Sequence, residues 1–120
     1  MLTPFGLEVR KLRIETGTKL KDLAEHLKVS SAYLSSVEYG KQELPERVVE
    51  GVVRFFHLKA AAARDLRQLA DRSRRAVRID LQKSSAPARE LATVFARRFD
   101  TIDQKTIDRL LGLLNGGDKG

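Results

Sequence analysis

The sequence predicts an all-α protein of 120 residues, in which five short helices form one domain and a C-terminal arm follows. Apolar residues recur at spacings of three and four through most of residues 1–73, a pattern typical of amphipathic helices. Capping residues and glycines divide this pattern into short segments. Near residue 77 the apolar period changes from helical to two. The sequence therefore predicts a domain at 1–73 and an arm at 74–115.

The first three predicted helices are separated by very short connections. Thr3 is predicted to cap a helix that Pro4 begins and Gly17 ends. Thr18 is predicted to cap the second helix and Ser30 the third. The connection between the second and third helices allows only a sharp turn, which is the helix-turn-helix arrangement. The residues predicted to face the core are Phe5, Val9, Leu12, Leu20, Leu23, Ala24, Leu27, Leu34 and Val37.

Two more helices are predicted at 45–57 and 59–73. The first of these is rich in valine, so a strand is the alternative. Its length exceeds that of a typical strand, and Pro45 followed by Glu46 in the first turn favours a helix. The second contains four consecutive alanines, which strongly favour helix.

One strand is predicted at 77–82, where apolar and polar residues alternate with a strict period of two. A lone strand leaves its backbone donors and acceptors unpaired. We therefore expect it to pair antiparallel with the same strand of a second copy across a two-fold axis.

The rest of the arm is predicted to contain two amphipathic helices, at about 86–99 and 103–114. Ser84 or Ser85 caps the first, and Thr101 with Gln104 has capping-box spacing for the second. A flexible tail is predicted at 116–120. The predicted dimer interface consists of Val77, Ile79, Leu81, Leu91, Phe95, Phe99, Ile107, Leu110, Leu111 and Leu114.

Composition excludes several classes of protein. Cysteine is absent, which excludes disulfides, thiolate metal sites and cysteine nucleophiles. No stretch approaches the roughly 18 consecutive apolar residues of a membrane span, and the N-terminus lacks the apolar region of a signal peptide, so we expect a soluble, cytoplasmic protein. The formal net charge of +7 favours a polyanionic partner, without separating DNA from RNA or an acidic protein.

Catalysis finds little support in the sequence. His26 and His57 stand far apart without metal-ligand spacing, and no glycine-rich phosphate loop is present. The carboxylates are scattered among lysines and arginines, which is typical of solvated helix surfaces. We therefore predict no catalytic residue, no metal and no cofactor.

Short motifs follow one another in a fixed order over residues 4–72. They are Val9-Arg10-Lys11-Leu12-Arg13, Gly17, Leu23-Ala24, Val29-Ser30, Tyr33-Leu34-Ser35, Val37-Glu38-Tyr39-Gly40-Lys41 and Pro45. Together they resemble the Xre/Cro-like family of helix-turn-helix transcriptional regulators, the group that includes the lambdoid phage repressors. The resemblance implies a five-helix, lambda-repressor-like domain that binds double-stranded DNA. The arm has only a general likeness to C-terminal extensions in such proteins.

The resemblance also implies roles for individual residues. In the family the third helix enters the major groove, and its N-terminal turn faces the base edges. On this chain the implied base contacts are Ser31, Ala32, Tyr33, Ser35 and Ser36, although Tyr33 could equally pack against the second helix. The implied phosphate contacts are Thr18, Lys19, Lys41 and Gln42.

Two further sets of charged residues complete the prediction. The resemblance implies that Arg13 and Glu38 form a structural bridge between the first and third helices. Arg72, Arg74 and Arg75 are either auxiliary phosphate contacts or part of a solvated linker.

The predicted function is a homodimeric transcriptional regulator, and specifically a repressor, often of its own promoter. Two recognition helices would read a pseudo-palindromic operator with half-sites spaced by about 34 Å. One alternative is an antitoxin-type protein whose arm binds a protein partner, with DNA binding secondary. The other is a protein that coats nucleic acid without sequence preference.

Overall fold

The computed structural model describes residues 1–116 and contains, within them, seven α-helices, a short 3-10 helix at Phe99–Thr101 and no strand. The predicted all-α class is confirmed. The chain divides into two compact units, Met1–Val77 and Arg78–Gly120. Of the tail predicted at 116–120, residues 117–120 lie outside the described residues. The helices are α1 (Pro4–Thr16), α2 (Leu20–Leu27), α3 (Ser31–Glu38), α4 (Glu46–Phe55), α5 (Ala60–Asp71), α6 (Ala86–Arg98) and α7 (Gln104–Leu114).

The first unit is built around a continuous apolar core to which all five of its helices contribute. Phe5, Leu34 and Val48 are inaccessible to solvent, and they come from α1, α3 and α4 respectively. Burying one such side chain contributes about 1.5–3 kcal/mol. The other buried apolar residues are Val9, Leu23, Ala24, Leu27, Val37, Leu44, Val49, Val52, Ala63, Leu66 and Ala70.

Helices α1 and α3 pack with their backbones unusually close together. A Cβ atom at Gly6 would overlap the backbone carbonyl of Glu38, so the contact requires glycine. The same carbonyl accepts hydrogen bonds from the Thr3 amide at 3.0 Å and the Thr3 hydroxyl at 3.2 Å. The C-terminal end of α3 is therefore held directly against the start of α1.

The N-terminal caps of α1 to α3 follow the predictions at two helices and depart from them at one. The hydroxyls of Thr3 and Ser30 accept hydrogen bonds from first-turn amides of α1 and α3, each at 3.0 Å, as predicted. The prediction that Thr18 caps α2 is wrong, because Lys19 is the N-cap residue and provides no side-chain hydrogen bond. The Thr18 hydroxyl instead lies 2.7 Å from the hydroxyl of Thr16.

No strand forms at 77–82, where the sequence predicts one. A strand is maintained by a ladder to a neighbouring strand, and no other strand exists within residues 1–116. The guanidinium of Arg89, on α6, donates to the carbonyls of Leu81 and Gln82, each at 3.0 Å. The amide of Gln82 donates to the Asp80 carboxylate at 3.0 Å. Local side-chain hydrogen bonds thus occupy groups that a ladder would use.

The caps of α6 and α7 are also local. Ser85, one of the two predicted alternatives, caps α6 by accepting from the Ala88 amide at 3.2 Å. The prediction that Thr101 caps α7 is wrong, because the Asp103 carboxylate accepts from the Thr106 amide at 2.9 Å, and hydrogen bonding to Thr106 lowers the pKa of Asp103. The Thr101 hydroxyl donates back into the preceding turn.

None of residues 78–116 is buried, although the two helices are amphipathic. Phe95 and Phe99 pack edge to face, with ring centroids 5.4 Å apart, yet both remain exposed. Leu91 and Leu114 are 70% and 82% exposed. Separately, no helix described within residues 1–116 has the length and apolarity needed to cross a membrane.

Candidate nucleic-acid interface

The turn between α2 and α3 brings the two helices together within three residues. Lys28 adopts the left-handed conformation, with φ of 60°, and its amide donates back to the last turn of α2. The Val29 amide also donates to that turn, at 3.0 Å from the Ala24 carbonyl oxygen. Ser30 then caps α3 at once. This is the sharp helix-turn-helix connection that the sequence predicts.

The five residues predicted to contact bases all lie on the parts of α3 that the core leaves accessible, whereas Leu34 and Val37 are buried. Ser31 and Ala32 are exposed at the N-terminal turn, and Ser35 and Ser36 are half-buried one turn later. Tyr33 is half-buried and packs against the core cluster. The accessible surface of α3 therefore consists mainly of hydroxyl and methyl groups.

The four residues predicted to contact phosphates lie at two places. Lys19 is exposed at the start of α2, where no side chain caps the first-turn amides. Thr18 beside it is half-buried, and its hydroxyl pairs with Thr16. Lys41 and Gln42 are exposed in the α3–α4 loop, residues 39–45. Amides at a helix N-terminus together with lysine ammonium groups form an arrangement that can bind an anion.

A partly desolvated ion pair connects α1 to α3. Arg13 Nη2 lies 3.5 Å from Glu38 Oε1, and the two side chains are 13% and 2% exposed. Burial raises the pKa of Glu38, against the opposing effect of the Arg13 and Arg10 charges. Arg13 Nε and Glu38 Oε2 are buried without a hydrogen-bond partner. The pair joins α1 to α3 but leaves buried polar atoms unsatisfied, so it is weak evidence for added stability.

The three arginines predicted as auxiliary phosphate contacts have different environments. Arg72 is exposed and has no side-chain hydrogen bond or ion pair among the described residues. Arg74 donates to the Leu44 carbonyl and forms an ion pair with Glu46 at 2.5 Å. Arg75 Nη1 donates to the Lys41 carbonyl at 2.8 Å. Two of the three arginines thus bind the α3–α4 loop of their own chain.

Sequence reasoning missed this attachment because Arg74 and Arg75 lie about 30 residues beyond their partners. Capping and periodicity act over a few residues, so neither carries a signal for such a contact.

Elsewhere, residues 1–116 contain no group of three or more His, Cys, Asp or Glu side chains arranged to hold a metal ion. His26 packs edge-on against Phe55, with ring centroids 5.0 Å apart.

Comparison with known proteins identifies the family. A family model described as a helix-turn-helix domain matches residues 4–66, more than half of the chain, and includes α1 to α4 and the first part of α5. No curated protein and no solved structure matches the chain. The match covers the ordered motifs and the sharp turn described above. The chain therefore belongs to the helix-turn-helix domain family.

Proposed function

We propose that this chain is a homodimeric, Xre-like transcriptional regulator that represses by occupying a pseudo-palindromic operator in promoter DNA. Helix-turn-helix domains typically bind DNA and are typically non-enzymatic, so family membership supports the DNA-binding part. The observation that carries the proposal is the accessible N-terminal turn of α3. Its small polar side chains can approach base edges closely, and the bridge to Glu38 keeps the helix at a constant angle.

Sequence discrimination by α3 would come from short side chains. The hydroxyls of Ser31, Ser35 and Ser36 can donate to or accept from several bases, and the Ala32 methyl can contact a thymine methyl. None of these makes the bidentate contact that contributes about 1–3 kcal/mol of discrimination. Tyr33 is engaged in packing, so we assign it a smaller share. The shape of the DNA and the spacing of two half-sites would supply the rest.

Affinity would come largely from the phosphates on either side of α3. Lys19 and the uncapped amides of α2 would bind one strand, and Lys41 with Gln42 would bind the other. The net charge of +7 supports long-range attraction to DNA. Each neutralised phosphate should make the slope of log K against log salt concentration steeper by about 0.9.

Dimerisation is supported by the unburied apolar residues of the second unit. A unit in which none of residues 78–116 is buried lacks a core of its own, so a partner is needed to cover α6 and α7. A second copy would give a two-fold axis, which suits half-sites about 34 Å apart. The same surface could instead receive a different protein, as in an antitoxin.

The experiment that tests DNA readout is selection of bound sequences from a random duplex pool, using the full chain. We expect a two-fold-symmetric consensus, bound at least about 10³-fold more tightly than random duplex at physiological salt. Ser31→Ala with Ser35→Ala should relax the consensus, whereas Gln68→Ala, at an exposed position of α5, should leave it unchanged. No enrichment would overturn the proposal and favour a coating protein.

Sedimentation equilibrium of the isolated chain tests the oligomeric state. A homodimer at micromolar concentration is the expected result. A monomer that still binds DNA would contradict the proposed use of the apolar faces, and it would favour the alternative in which α6 and α7 bind another protein.

A further inference from the structure

The segment that follows α5 is attached to the loop that follows the recognition helix. Arg74 donates to the backbone carbonyl of Leu44, and its Nη2 lies 2.5 Å from the Glu46 carboxylate. Arg75 Nη1 donates to the Lys41 carbonyl at 2.8 Å. These two arginines therefore bind both ends of the stretch that contains the proposed phosphate contacts.

The residue before them extends the attachment to α1. The Ser73 hydroxyl accepts from the Phe5 amide at 3.0 Å and donates to the Leu69 carbonyl at 2.7 Å. The start of α1 in turn holds the end of α3, through Thr3 and the Glu38 carbonyl. The 73–75 segment thus acts on both boundaries of the α3–α4 loop.

We propose that Arg74 is a positioning residue for the DNA interface, which holds the α3–α4 loop so that Lys41 and Gln42 can reach the phosphate backbone. This inference rests on the proposed function. Arg74 is then a residue that acts through the loop, and not the auxiliary phosphate contact that the sequence predicts.

The surroundings of Arg74 favour positioning over direct contact with DNA. Its side chain is only 21% exposed, and both terminal nitrogens already have partners on the loop and the start of α4. Leu44 is a buried residue of the loop, and Arg74 supplies a hydrogen-bond donor to its carbonyl oxygen. A planar guanidinium can serve a carbonyl and a carboxylate at once, which a lysine ammonium does poorly.

The DNA-binding part of the chain then extends beyond the residues of the helix-turn-helix match. The helix-turn-helix match ends at residue 66, yet the residues that would hold Lys41 and Gln42 lie at 73–75. A fragment that ends with α5 would keep the core and the recognition helix while losing both arginine contacts to the loop.

A double-mutant comparison on the full chain tests the inference, with a mixed-sequence 30-base-pair duplex as the probe. Arg74→Ala is measured in the native background and in a background that carries Lys41→Ala and Gln42→Ala. We expect Arg74→Ala to weaken binding about three- to tenfold in the native background and less than about twofold in the other, because its effect passes through the two loop residues. Arg64→Ala, at an exposed position of α5, is the matched control for removal of a charge and should have the same small effect in the two backgrounds.

Equal weakening in the two backgrounds would overturn the inference, since it would mean that Arg74 contacts DNA itself. Arg74→Lys keeps the charge but loses the planar guanidinium that serves two acceptors at once, so its binding should resemble that of Arg74→Ala. Native-like DNA binding by Arg74→Lys would also overturn the inference. Circular dichroism at the assay temperature establishes that each variant is folded, and amide exchange in the loop should quicken in Arg74→Ala. If the native chain fails to bind duplex, or the background variant binds as the native chain does, the proposed function or its phosphate contacts fail instead, and the inference fails with them.

Discussion

Both units of this chain contain amphipathic helices, yet among residues 1–116 only those of the first unit form a buried core. In Met1–Val77, the apolar stripes of five helices meet one another, and residues such as Phe5 and Leu34 are wholly buried. In residues 78–116, the stripes of α6 and α7 remain accessible, with Leu91 and Leu114 among the most exposed. An amphipathic pattern therefore establishes that a helix has an apolar face, but not which partner covers it.

The largest expected effect tests the core of the first unit. Phe5→Ala should lower the free energy of unfolding by about 3–5 kcal/mol, because it removes a fully buried ring from a packed site. Urea denaturation followed by circular dichroism measures this. Leu7→Ala, at an exposed position on the same helix, should change stability by less than about 0.5 kcal/mol. Equal costs for the two variants would erase the contrast between core and surface.

The next effect concerns the bridge inside the first unit. Arg13→Met should lower the free energy of unfolding at neutral pH by about 3 kcal/mol, because it leaves the Glu38 carboxylate buried without its cation. Combining it with Glu38→Gln should recover part of the loss. Lys11→Met, at an exposed position of α1, is the control for simple removal of charge. A double variant less stable than Arg13→Met alone would contradict this account of the pair.

A smaller effect is expected in the second unit, on the homodimer that we propose. Phe95→Ala should raise the dimer dissociation constant about 30-fold, or about 2 kcal/mol, because the Phe95–Phe99 pair lies on the uncovered apolar face. Sedimentation equilibrium across a dilution series provides the measurement. Thr93→Ala, at an exposed polar position of α6, should have no such effect. An unchanged constant for Phe95→Ala would exclude this face as the dimer contact.

A serine caps one helix in each unit, so the same substitution can be made in both units and its effects on stability compared. Ser30→Ala should lower the stability of the first unit by about 1 kcal/mol, because the α3 cap is coupled to a cooperative core. Ser85→Ala removes a similar hydrogen bond from α6, but its effect should be confined to faster amide exchange in that helix. If Ser85→Ala lowers the unfolding midpoint of the whole chain instead, the two units unfold together.

The smallest effect is a pH dependence confined to one residue of the first unit. Because burial raises the pKa of Glu38, the folded chain binds that proton more tightly than the unfolded chain does. The native chain should therefore have its largest stability advantage over Glu38→Gln at pH values below 4.5, the ordinary pKa of a glutamate. This advantage should fall as the pH rises through the raised pKa of Glu38. Paired urea titrations between acid and neutral pH measure this difference. A difference that grows with pH would mean that Arg13 outweighs burial.

Features that depend on a few neighbouring residues were predicted well. Thr3 and Ser30 are caps because their hydroxyls reach amides three residues ahead, which is visible in the sequence. Thr18 and Thr101 also lie just before predicted helices, but the Thr18 hydroxyl pairs with the Thr16 hydroxyl and the Thr101 hydroxyl donates to the Arg98 carbonyl. Where two local partners compete, propensity alone does not choose between them.

The strand predicted at 77–82 was wrong for a different reason. Its alternation is genuine, but strand structure depends on a neighbour, and Arg89 takes up the carbonyls of Leu81 and Gln82. The attachments of Arg74 and Arg75 to the α3–α4 loop could not be predicted from the sequence. They join residues that are close only after the helices have packed.

The sequence by itself determined the all-α class, the helix-turn-helix connection and the apolar faces, because each depends on short-range periodicity, capping and turn chemistry. Tertiary structure alone decided that Gly6 lets α1 lie against Glu38 and that Arg74 donates to the loop after α3. It also decided that the faces of α6 and α7 remain uncovered. Those outcomes depend on contacts between residues that are far apart in the sequence. A local sequence pattern does not specify such contacts.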